Sequence, residues 1–252
     1  MDKIYIHKIN KEMLLREESE IFRLLPEWRK EKVQKLKVES SRLQSLAAGR
    51  LLDLAIADYL DLDETEVTWN GDQGDRKYHD ERMNRVVDFS ISHSGNYVAV
   101  ALSDIPVGID VEIKEDKNFK ITNRMLPNED KGYILNEDLT EEVKQMHFRD
   151  IWTIKESFLK CTGEGISVPL DSFTSELYMP LLVCGEDDLI SGSGVLRKIV
   201  SLGYEYKNNQ REDGDSEYYV ATTRLDEGIC SLSICAQDPN LILDIKRVEV
   251  LV

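Results

Sequence analysis

The hydrophobic pattern predicts a strand followed by helices in the first 60 residues. Apolar and polar side chains alternate over residues 3–9, which is the period of a half-buried strand. Helical patterns follow to about residue 60. The clearest, residues 41–60, is rich in Leu and Ala and nearly free of β-branched residues. That segment has so much apolar surface that we expect a helix buried on most sides.

Strands and helices then follow one another in blocks. A polar loop over roughly residues 70–85 precedes a β-rich run, residues 86–112, in which three short β-branched segments are separated by Gly, Asn or Pro. The remaining predicted elements are two helices and then four strands, near residues 119–136, 140–162, 173–184, 194–202, 217–225 and 229–236. The second of these helices begins behind Thr140 and stops at Gly163 and Gly165, which are residue types typical of helix ends.

This order of elements predicts an α+β protein built of two similar halves. Helices are followed by strands, and the same order of blocks then repeats, with a division near residue 104. We therefore expect an N-terminal half, residues 1–104, and a C-terminal half, residues 105–252. No close sequence repeat accompanies the division, so it rests on the order of elements alone.

Composition excludes several classes of function. The chain has 252 residues with 48 acidic and 32 basic side chains, a formal charge of −16, and such a negative field disfavours binding to nucleic acid. No window reaches the ~18 apolar residues of a membrane span, and the first residues lack the apolar run of a signal peptide, so we expect no membrane partner. The four cysteines form no CxxC pair, which favours reduced thiols and a cytoplasmic location.

One segment departs from the acidic composition. Residues 22–50 contain three acidic side chains and eight basic ones, and the basic ones are Arg23, Arg29, Lys30, Lys32, Lys35, Lys37, Arg42 and Arg50. For an isolated segment we favour the interpretation as a solvated helix face. The alternative is an anion site, which gains support only if residues suited to phosphate occur elsewhere in the chain.

Two carboxylates share one face of a predicted strand. Because side chains alternate along a strand, Asp110 and Glu112 project to the same side while Ile109 and Val111 project to the other. Two carboxylates about 4 Å apart repel by roughly 4 kcal/mol at an effective dielectric near 20. Protonation, pairing with Arg or Lys, or a hard cation such as Mg²⁺ relieves this repulsion. A solvent-facing edge strand with ordinary charges is the simpler alternative.

The predicted helix 140–162 carries a second set of polar residues. Trp152, Glu156 and Lys160 recur every four residues and therefore lie on one face. One interpretation is that Glu156 and Lys160 form an exposed salt pair. The alternative is a functional site, in which Glu156 completes a metal site with the strand carboxylates and Lys160 neutralises a substrate phosphate. Trp152 is more typical of a core position.

A third motif follows a predicted strand. Ser92, His93, Ser94 and Gly95 place hydroxyls, an imidazole and a glycine turn at its end, and such groups can surround an anion. Taken alone, a histidine among serines is more typical of a turn.

Together, the motifs resemble those of the 4′-phosphopantetheinyl transferases, in particular the large pseudo-dimeric type that activates peptide-synthetase carrier proteins. The motifs that carry the resemblance, in chain order, are FSISHSG, IPVGIDVE, WxxKESxxK and GxGxSxPLDSF. Two further segments are similar to the family's N-terminal basic segment and its terminal hairpin, LPEWRKEKVQK and YYVATTRLDEGICSLSICA. The resemblance covers most of the chain.

Carried over by position, the resemblance implies two groups of binding residues. The first would hold Mg²⁺ with the pyrophosphate of coenzyme A: Asp110, Glu112 and Glu156. Lys160 would contact that pyrophosphate. The second group would hold the phosphates, chiefly the 3′-phosphate of the ribose: Arg29, Lys32, Arg42, Ser92 and His93. Lys77 is the candidate for a lysine that the family has near the adenine, although this loop lacks the family's Gly-Lys-Pro.

The implied reaction is attack by a carrier-protein serine on the β-phosphorus of coenzyme A, which transfers 4′-phosphopantetheine and releases adenosine 3′,5′-bisphosphate. A serine hydroxyl needs a base, for which Glu156 is the first candidate and Asp110 the alternative, while Lys160 neutralises charge on the pyrophosphate. The resemblance also implies a monomer with two halves related by a pseudo-twofold. Coenzyme A would lie in the cleft between them, with its 3′-phosphate and adenine against the N-terminal half. The C-terminal half would carry the Mg²⁺ carboxylates and the catalytic helix.

Two other functions use the same residue types. One is a coenzyme A or nucleotide-binding protein without catalysis, which three carboxylates argue against because phosphate binding gains nothing from added acids. The other is a Mg²⁺-dependent phosphohydrolase acting on coenzyme A. A candidate carrier-docking surface contains residues that serve equally well as core: Phe119, Arg124, Met125 and Leu126. The stretch 176–216 has no assigned role.

Overall fold

The structure is a computed structural model that describes residues 2–69, 76–113, 126–165, 168–175, 195–201 and 218–252. The chain divides into two compact units. The first comprises Met1–Pro106 together with Asp244–Val252, and the second comprises Val107–Leu243. Both contain helices and sheet, so the protein is of the α+β class.

Within the described residues, the first unit has one five-stranded sheet and three α-helices. Its strands are β1 (Lys3–Lys8), β2 (Lys77–Asp80), β3 (Arg85–Ser94), β4 (Tyr97–Ser103) and β10 (Ile245–Arg247), in the order β10-β1-β4-β3-β2. Its helices are α1 (Lys11–Leu24), α2 (Glu27–Lys35) and α3 (Glu39–Leu60), followed by a short 3₁₀ helix, Glu64–Glu66. Helix α3 lies against the sheet, and α1 and α2 pack on α3.

Helix α3 forms the centre of the first unit's core. Leu46, Leu51 and Ile56 are fully buried, as are most other side chains of the helix, which confirms the prediction of a helix covered on most sides. The helix ends at Asp61, whose backbone is left-handed (φ 54°) and whose N–H returns to the last turn.

Two strands of the first unit were not predicted. Strand β2 lies in the segment expected to be a polar loop, where buried Tyr78 and Asp80 alternate with exposed Lys77 and His79. Strand β10 comes from the end of the chain and pairs in parallel with β1. The last nine residues therefore belong with the N-terminal unit, in contrast to their predicted place in a C-terminal half, because β1 offers them a free edge.

The second unit, as far as it is described, has one antiparallel five-stranded sheet and two α-helices. Its strands are β5 (Val107–Ile113), β6 (Phe173–Ser175), β7 (Val195–Ser201), β8 (Tyr218–Leu225) and β9 (Cys230–Ala236), in the order β5-β9-β8-β7-β6. Its helices are α4 (Asn128–Ile134) and α5 (Glu141–Thr162). Helix α5 packs across β5 and β9.

The ends of α5 confirm the sequence prediction. The Thr140 hydroxyl accepts a hydrogen bond from the Val143 N–H, which caps the first turn. Gly163 adopts a left-handed conformation (φ 75°) just after the last turn, where residues other than glycine are strained. The core beneath α5 includes Ile151, Ile154 and Leu159.

Some predicted features fall outside the described residues. Phe119, Arg124 and Met125 do, and so does the stretch 176–216 except for β7. Leu126 is described and is 2% exposed within the core of the second unit, which agrees with the core alternative rather than with a docking surface. In the part of the chain that the structure covers, no helix is both long and apolar enough to cross a membrane.

Candidate active site

Gly108 allows α5 to lie directly against β5. A Cβ atom added at Gly108 would lie 1.9 Å from the carbonyl oxygen of Ser157 and 2.4 Å from the backbone nitrogen of Cys161. No side chain fits there, so the glycine sets the distance between helix and strand. The C-terminal part of α5 is thereby brought against the beginning of β5.

The strand carboxylates follow Gly108 on the same face. Asp110 and Glu112 are two and four residues further along β5, so they share the side of the sheet on which α5 packs. Asp110 is 5% exposed, and Glu112 is half-buried. β5 is an edge strand of its sheet, but its two carboxylates lie beside the helix rather than on an open, solvent-facing surface.

Lys160 joins the helix to this strand. Its Nζ donates hydrogen bonds to Asp110 Oδ1 at 2.7 Å and to the Ile109 carbonyl oxygen at 3.1 Å. The Asp110 carboxylate is nearly enclosed, whereas the Lys160 side chain retains 27% exposure. The ammonium group thus neutralises the inner carboxylate and is still accessible from solvent.

Glu156 lies one helical turn before Lys160 and is half-buried. Burial raises the pKa of its carboxyl group above the ordinary value, and the negative charges of Asp110 and Glu112 raise it further. The positive charge of Lys160 opposes this shift. The three carboxylates are therefore close enough to repel one another, and additional positive charge at this place would stabilise them.

The carboxylate oxygens of this site are donor atoms of the kind that Mg²⁺ binds. Three carboxylates offer the hard oxygen ligands that Mg²⁺ prefers, and nitrogen or sulfur ligands are not required. In the present arrangement, no three Asp, Glu, His or Cys side chains among the described residues converge closely enough to hold an ion. Asp110 is instead bonded to Lys160, so closing a metal site requires rotation of these side chains.

Arg149 is a site residue that the sequence interpretation missed. Its side chain is buried and donates a hydrogen bond from Nη2 to the Gly228 carbonyl oxygen at 2.8 Å. Burial lowers its pKa and the nearby Arg224 lowers it further, whereas the charge of Asp150 and, to a smaller extent, those of Cys230 and Glu112 act to raise it. The spacing from Arg149 to Glu156 is seven residues, so both lie on one helix face, and this spacing was the available signal.

Lys155 is a second missed residue, and it is buried (1% exposed). Its Nζ lies 2.8 Å from Asp130 Oδ2 of α4 and donates to the carbonyl oxygens of Leu170 and Phe173 at 2.9 and 2.5 Å. Burial lowers the pKa of the ammonium, and Asp130 counteracts this effect. Lys155 therefore anchors α5 to α4, to the segment before β6 and to the first residue of β6, and it is the sequence neighbour of Glu156.

In the first unit, Arg29 is buried (3% exposed). Its Nε and Nη2 donate to the Ser45 carbonyl oxygen at 3.2 and 3.0 Å, and its side chain packs closely on Gly49 of α3. Burial lowers its pKa to about 10. These contacts support a structural role in joining α2 to α3 and give no support to the predicted phosphate contact.

The other predicted phosphate-binding residues lie on four elements of the first unit. Lys32 on α2 is exposed, and partial desolvation and the nearby Arg29 lower its pKa. Arg42 on α3 forms an ion pair with Glu18 of α1. Lys77 is exposed on the edge strand β2. On β3, Ser92 is buried and His93 is exposed. Their contacts with phosphate stay predictions.

Comparison with known proteins indicates one family. The model of the 4′-phosphopantetheinyl transferase superfamily matches residues 106–178, which include the strand carboxylates, Glu156 and Lys160. Over 161 residues the chain is 30% identical to 4′-phosphopantetheinyl transferase Sfp of Bacillus subtilis (strain 168), and the alignment covers 64% of this chain and 60% of that protein. Residues 106–178 thus resemble the 4′-phosphopantetheinyl transferase superfamily, and the chain is similar to a named transferase over nearly two thirds of its length.

Two other members of the superfamily show how the similarity is distributed. A 4′-phosphopantetheinyl transferase of Bacillus subtilis is 25% identical over 230 residues, which are 90% of this chain and 94% of that one. The transferase psf-1 of Bacillus pumilus is 38% identical over 89 residues, or 35% of this chain and 37% of psf-1. The chain thus spans three fifths or less of Sfp and psf-1, and nearly all of the more distant relative. The family predicted from the motifs is confirmed.

Proposed function

We propose that the protein transfers the 4′-phosphopantetheine group of coenzyme A to a serine of an acyl or peptidyl carrier protein and releases adenosine 3′,5′-bisphosphate. One observation carries this proposal: Asp110, Glu156 and Lys160 come together on β5 and α5, within the segment that matches the superfamily. The names of the similar proteins support the same reaction.

Mg²⁺ fits the proposed reaction, and Asp110, Glu112 and Glu156 would hold it. When bound, the ion neutralises negative charge on the pyrophosphate oxygens of coenzyme A. Burial raises the pKa of Glu156 most, and the charges of Asp110 and Glu112 raise it further; the burial and the repulsion together are the physical reason for a cation at this place. Arg149 would stabilise Glu112 from the buried side without being a ligand itself.

Glu156 is the proposed proton acceptor. The acceptor serine forms a bond from its Oγ to the β-phosphorus, the bond to the departing adenosine bisphosphate breaks, and the hydroxyl proton passes to the base. A carboxylate with a raised pKa accepts a proton at neutral pH more readily than an ordinary one. Asp110 is the weaker candidate, because its Oδ1 is already bonded to Lys160.

Lys160 would stabilise the pyrophosphate. Its ammonium group is bound to Asp110 and the Ile109 carbonyl oxygen and is partly exposed. An incoming phosphate also offers it charge-assisted hydrogen bonds, so Lys160 would exchange a carboxylate partner for a phosphate partner once a cation neutralises Asp110. Its positive charge would then act on the oxygens where negative charge develops during transfer.

The first unit would bind the 3′-phosphate and the adenine through Lys32, Arg42, Lys77, Ser92 and His93. Each unit contains a five-stranded sheet packed by helices, which supports the large type of the family, with two similar halves in a monomer. A cytoplasmic location is part of the same proposal, because carrier proteins and coenzyme A would have to meet the enzyme in one compartment.

The test is intact-protein mass spectrometry of an apo peptidyl or acyl carrier protein incubated with this protein, coenzyme A and Mg²⁺. We expect the carrier to gain one phosphopantetheine mass on its acceptor serine, and the gain to be absent when EDTA is added. If carriers from several pathways remain unmodified while coenzyme A is cleaved, the protein is a hydrolase. If coenzyme A remains intact but bound, the protein is a binding protein, and the proposal is wrong.

A further inference from the structure

Buried polar side chains connect α5 to the neighbouring strands β8 and β9. Near the middle of the helix, Thr153 Oγ1 lies 2.8 Å from Ser233 Oγ of β9, which in turn lies 2.9 Å from Thr222 Oγ1 of β8. Earlier along the helix, Asp150 Oδ1 accepts from Ser231 Oγ at 2.7 Å, and Asp150 Oδ2 accepts from Arg224 Nη2 at 2.5 Å. We call these six residues the α5–β9 polar contacts.

The serines of the α5–β9 polar contacts lie directly across from the strand carboxylates in the pairing of β9 with β5. In the antiparallel pairing of β5 with β9, Ser233 is directly opposite Asp110, and Ser231 is directly opposite Glu112. On the helix, Thr153 precedes Glu156 by three residues, so it is one turn away on nearly the same face. The hydrogen bonds that join helix to sheet are therefore formed beside the carboxylates of the site.

Hydrogen bonds from these residues constrain the rotation of α5 about its axis, and not only its distance from the sheet. Asp150, Thr153, Ser231 and Ser233 are fully buried, where a hydroxyl or carboxylate without a hydrogen-bond partner is strongly unfavourable. Apolar side chains would bury the same surface but would allow the helix to rotate or slide slightly. Directional bonds from Thr153 and Asp150 fix the rotation of α5, whereas Gly108 fixes only its distance from β5.

We propose that Asp150, Thr153, Ser231 and Ser233 are positioning residues, which hold the helix in the rotation that brings Glu156 to Asp110 and Glu112. This inference rests on the proposed function, because it assumes that the three carboxylates act together on a divalent cation. The positioning residues touch neither the substrate nor the ion. Removal of a group that hydrogen-bonds a metal ligand typically lowers metal affinity or activity by about 10- to 100-fold, and we expect an effect in the same range for residues that set the rotation of the helix carrying a ligand.

The test compares Thr153→Val, Ser233→Ala and Thr153→Ser with the wild-type protein. Mn²⁺ serves as the probe ion, and its dissociation constant is measured by electron paramagnetic resonance in the presence of coenzyme A, together with kcat and KM for the carrier protein. We expect Thr153→Val and Ser233→Ala to weaken Mn²⁺ binding and to lower kcat, by about 10-fold or more, with little change in KM for the carrier. Thr153→Ser keeps the hydroxyl and should retain wild-type values.

Ser157→Ala is the matched control. Ser157 is also a buried hydroxyl of α5, and its Oγ donates to the Ile154 carbonyl oxygen, just as Thr153 Oγ1 donates to the Asp150 carbonyl oxygen at 3.0 Å. Thr153 differs in its further contact with Ser233 of β9. Removal of the Ser157 hydroxyl leaves the bonds to β9 intact, so Mn²⁺ affinity should be unchanged. If Ser157→Ala weakens Mn²⁺ binding as much as Thr153→Val does, any small cavity in the helix has this effect and the positioning role is wrong.

Two other outcomes separate this inference from the proposed function. If the wild-type protein binds Mn²⁺ and modifies the carrier while Thr153→Val and Ser233→Ala match it, the positioning role is wrong and the function stands. If the wild-type protein neither binds Mn²⁺ nor modifies any carrier, the proposed function fails and the positioning role fails with it. Ser233→Ala removes a single oxygen atom and decides the question should Thr153→Val not fold.

Discussion

Glu156 illustrates how the surroundings of a single residue can lower stability. Its carboxyl group is half-buried near two other carboxylates, and its pKa is raised above the ordinary value for that reason. The folded protein therefore retains this proton at a pH where the unfolded chain has already lost it. Between the ordinary value of 4.5 and the raised value, the unfolded state binds fewer protons, so stability falls as pH rises through that range.

A Glu156→Gln variant tests this statement. Glutamine cannot ionise, so the variant should lose the destabilisation and unfold at a higher temperature than the wild-type protein at mildly alkaline pH. The difference should disappear under acidic conditions, where Glu156 is protonated in both states. Thermal unfolding without divalent cations, from about pH 4 to about pH 8, measures it. A variant that is less stable than the wild-type protein at alkaline pH would show that Glu156 is not under electrostatic strain.

The surroundings of some individual residues are not visible in the sequence. The face shared by Glu156 and Lys160 follows from helical spacing alone, which is a local property. Burial of Arg29 depends on how α2 meets α3. The three partners of Lys155 come from α4, from the segment before β6 and from β6 itself. Such contacts between distant segments leave no pattern in a single sequence.

At the scale of elements, the packing of α5 on β5 depends on one glycine. Because a Cβ at position 108 would overlap backbone atoms of Ser157 and Cys161, no change of side-chain rotamer relieves the clash. The helix itself has to move away from the strand. That movement would also separate Lys160 and Glu156 from Asp110.

We predict that Gly108→Ala lowers the free energy of unfolding by about 2 kcal/mol or more, as overpacking in a core does, and that it abolishes transfer activity. Gly132→Ala in α4 is the matched control, because nothing lies within 4 Å of its added Cβ. That variant should be about 0.5–1 kcal/mol more stable, since alanine favours a helix. Urea unfolding of both variants measures the difference, and equal stabilities would contradict the close packing.

A second inter-element contact is the buried ion pair of Lys155 with Asp130. Removing one member leaves the other charge buried without compensation, which typically costs about 3–5 kcal/mol. Lys155→Met should therefore destabilise the protein by this amount, and addition of Asp130→Leu should recover much of the loss. Lys35→Met breaks the exposed ion pair with Glu31 on α2 and should change stability by less than about 1 kcal/mol. If urea unfolding gives Lys155→Met the same free energy of unfolding as the wild-type protein, the buried ion pair does not stabilise the fold as stated.

Elements whose signals are local were predicted well. The ends of α5 at Thr140 and Gly163 follow from capping chemistry, which acts over three or four residues. Strand β2 was missed because its composition is polar: Tyr78 is its one buried aromatic residue, and the burial of Asp80 depends on its tertiary surroundings. A four-residue strand also offers too short an alternation to distinguish from a loop.

At the scale of the whole molecule, the two ends of the chain meet in one sheet. The Ile4 N–H donates to the Asp244 carbonyl oxygen at 2.8 Å, and Arg50 Nε donates to the Leu251 carbonyl oxygen at 2.8 Å. The pairing of β1 with β10 joins segments about 240 residues apart, and β10 has only three residues. The order of elements predicted two halves, but it contained no information about which sheet would receive the last strand.

The similarity to the family is visible at this scale for a different reason. Each motif alone had an ordinary structural explanation, and only the order and spacing of all of them along the chain indicated the family. The structure adds the physical link between two of these motifs, because Gly108 of one packs against Ser157 of the other and Asp110 bonds to Lys160.

The most direct test of the central claim is the rate of carrier modification by Glu156→Gln compared with Glu141→Gln. Both variants remove one negative charge from α5, but Glu141 lies exposed in its first turn, paired with Lys144 and far along the helix from Lys160. The structure predicts that Glu156→Gln lowers kcat by about 100-fold or more, as loss of a general base does, while Glu141→Gln transfers phosphopantetheine at the wild-type rate. Wild-type activity in Glu156→Gln would contradict the claim that the Glu156 carboxylate is the proton acceptor of the reaction.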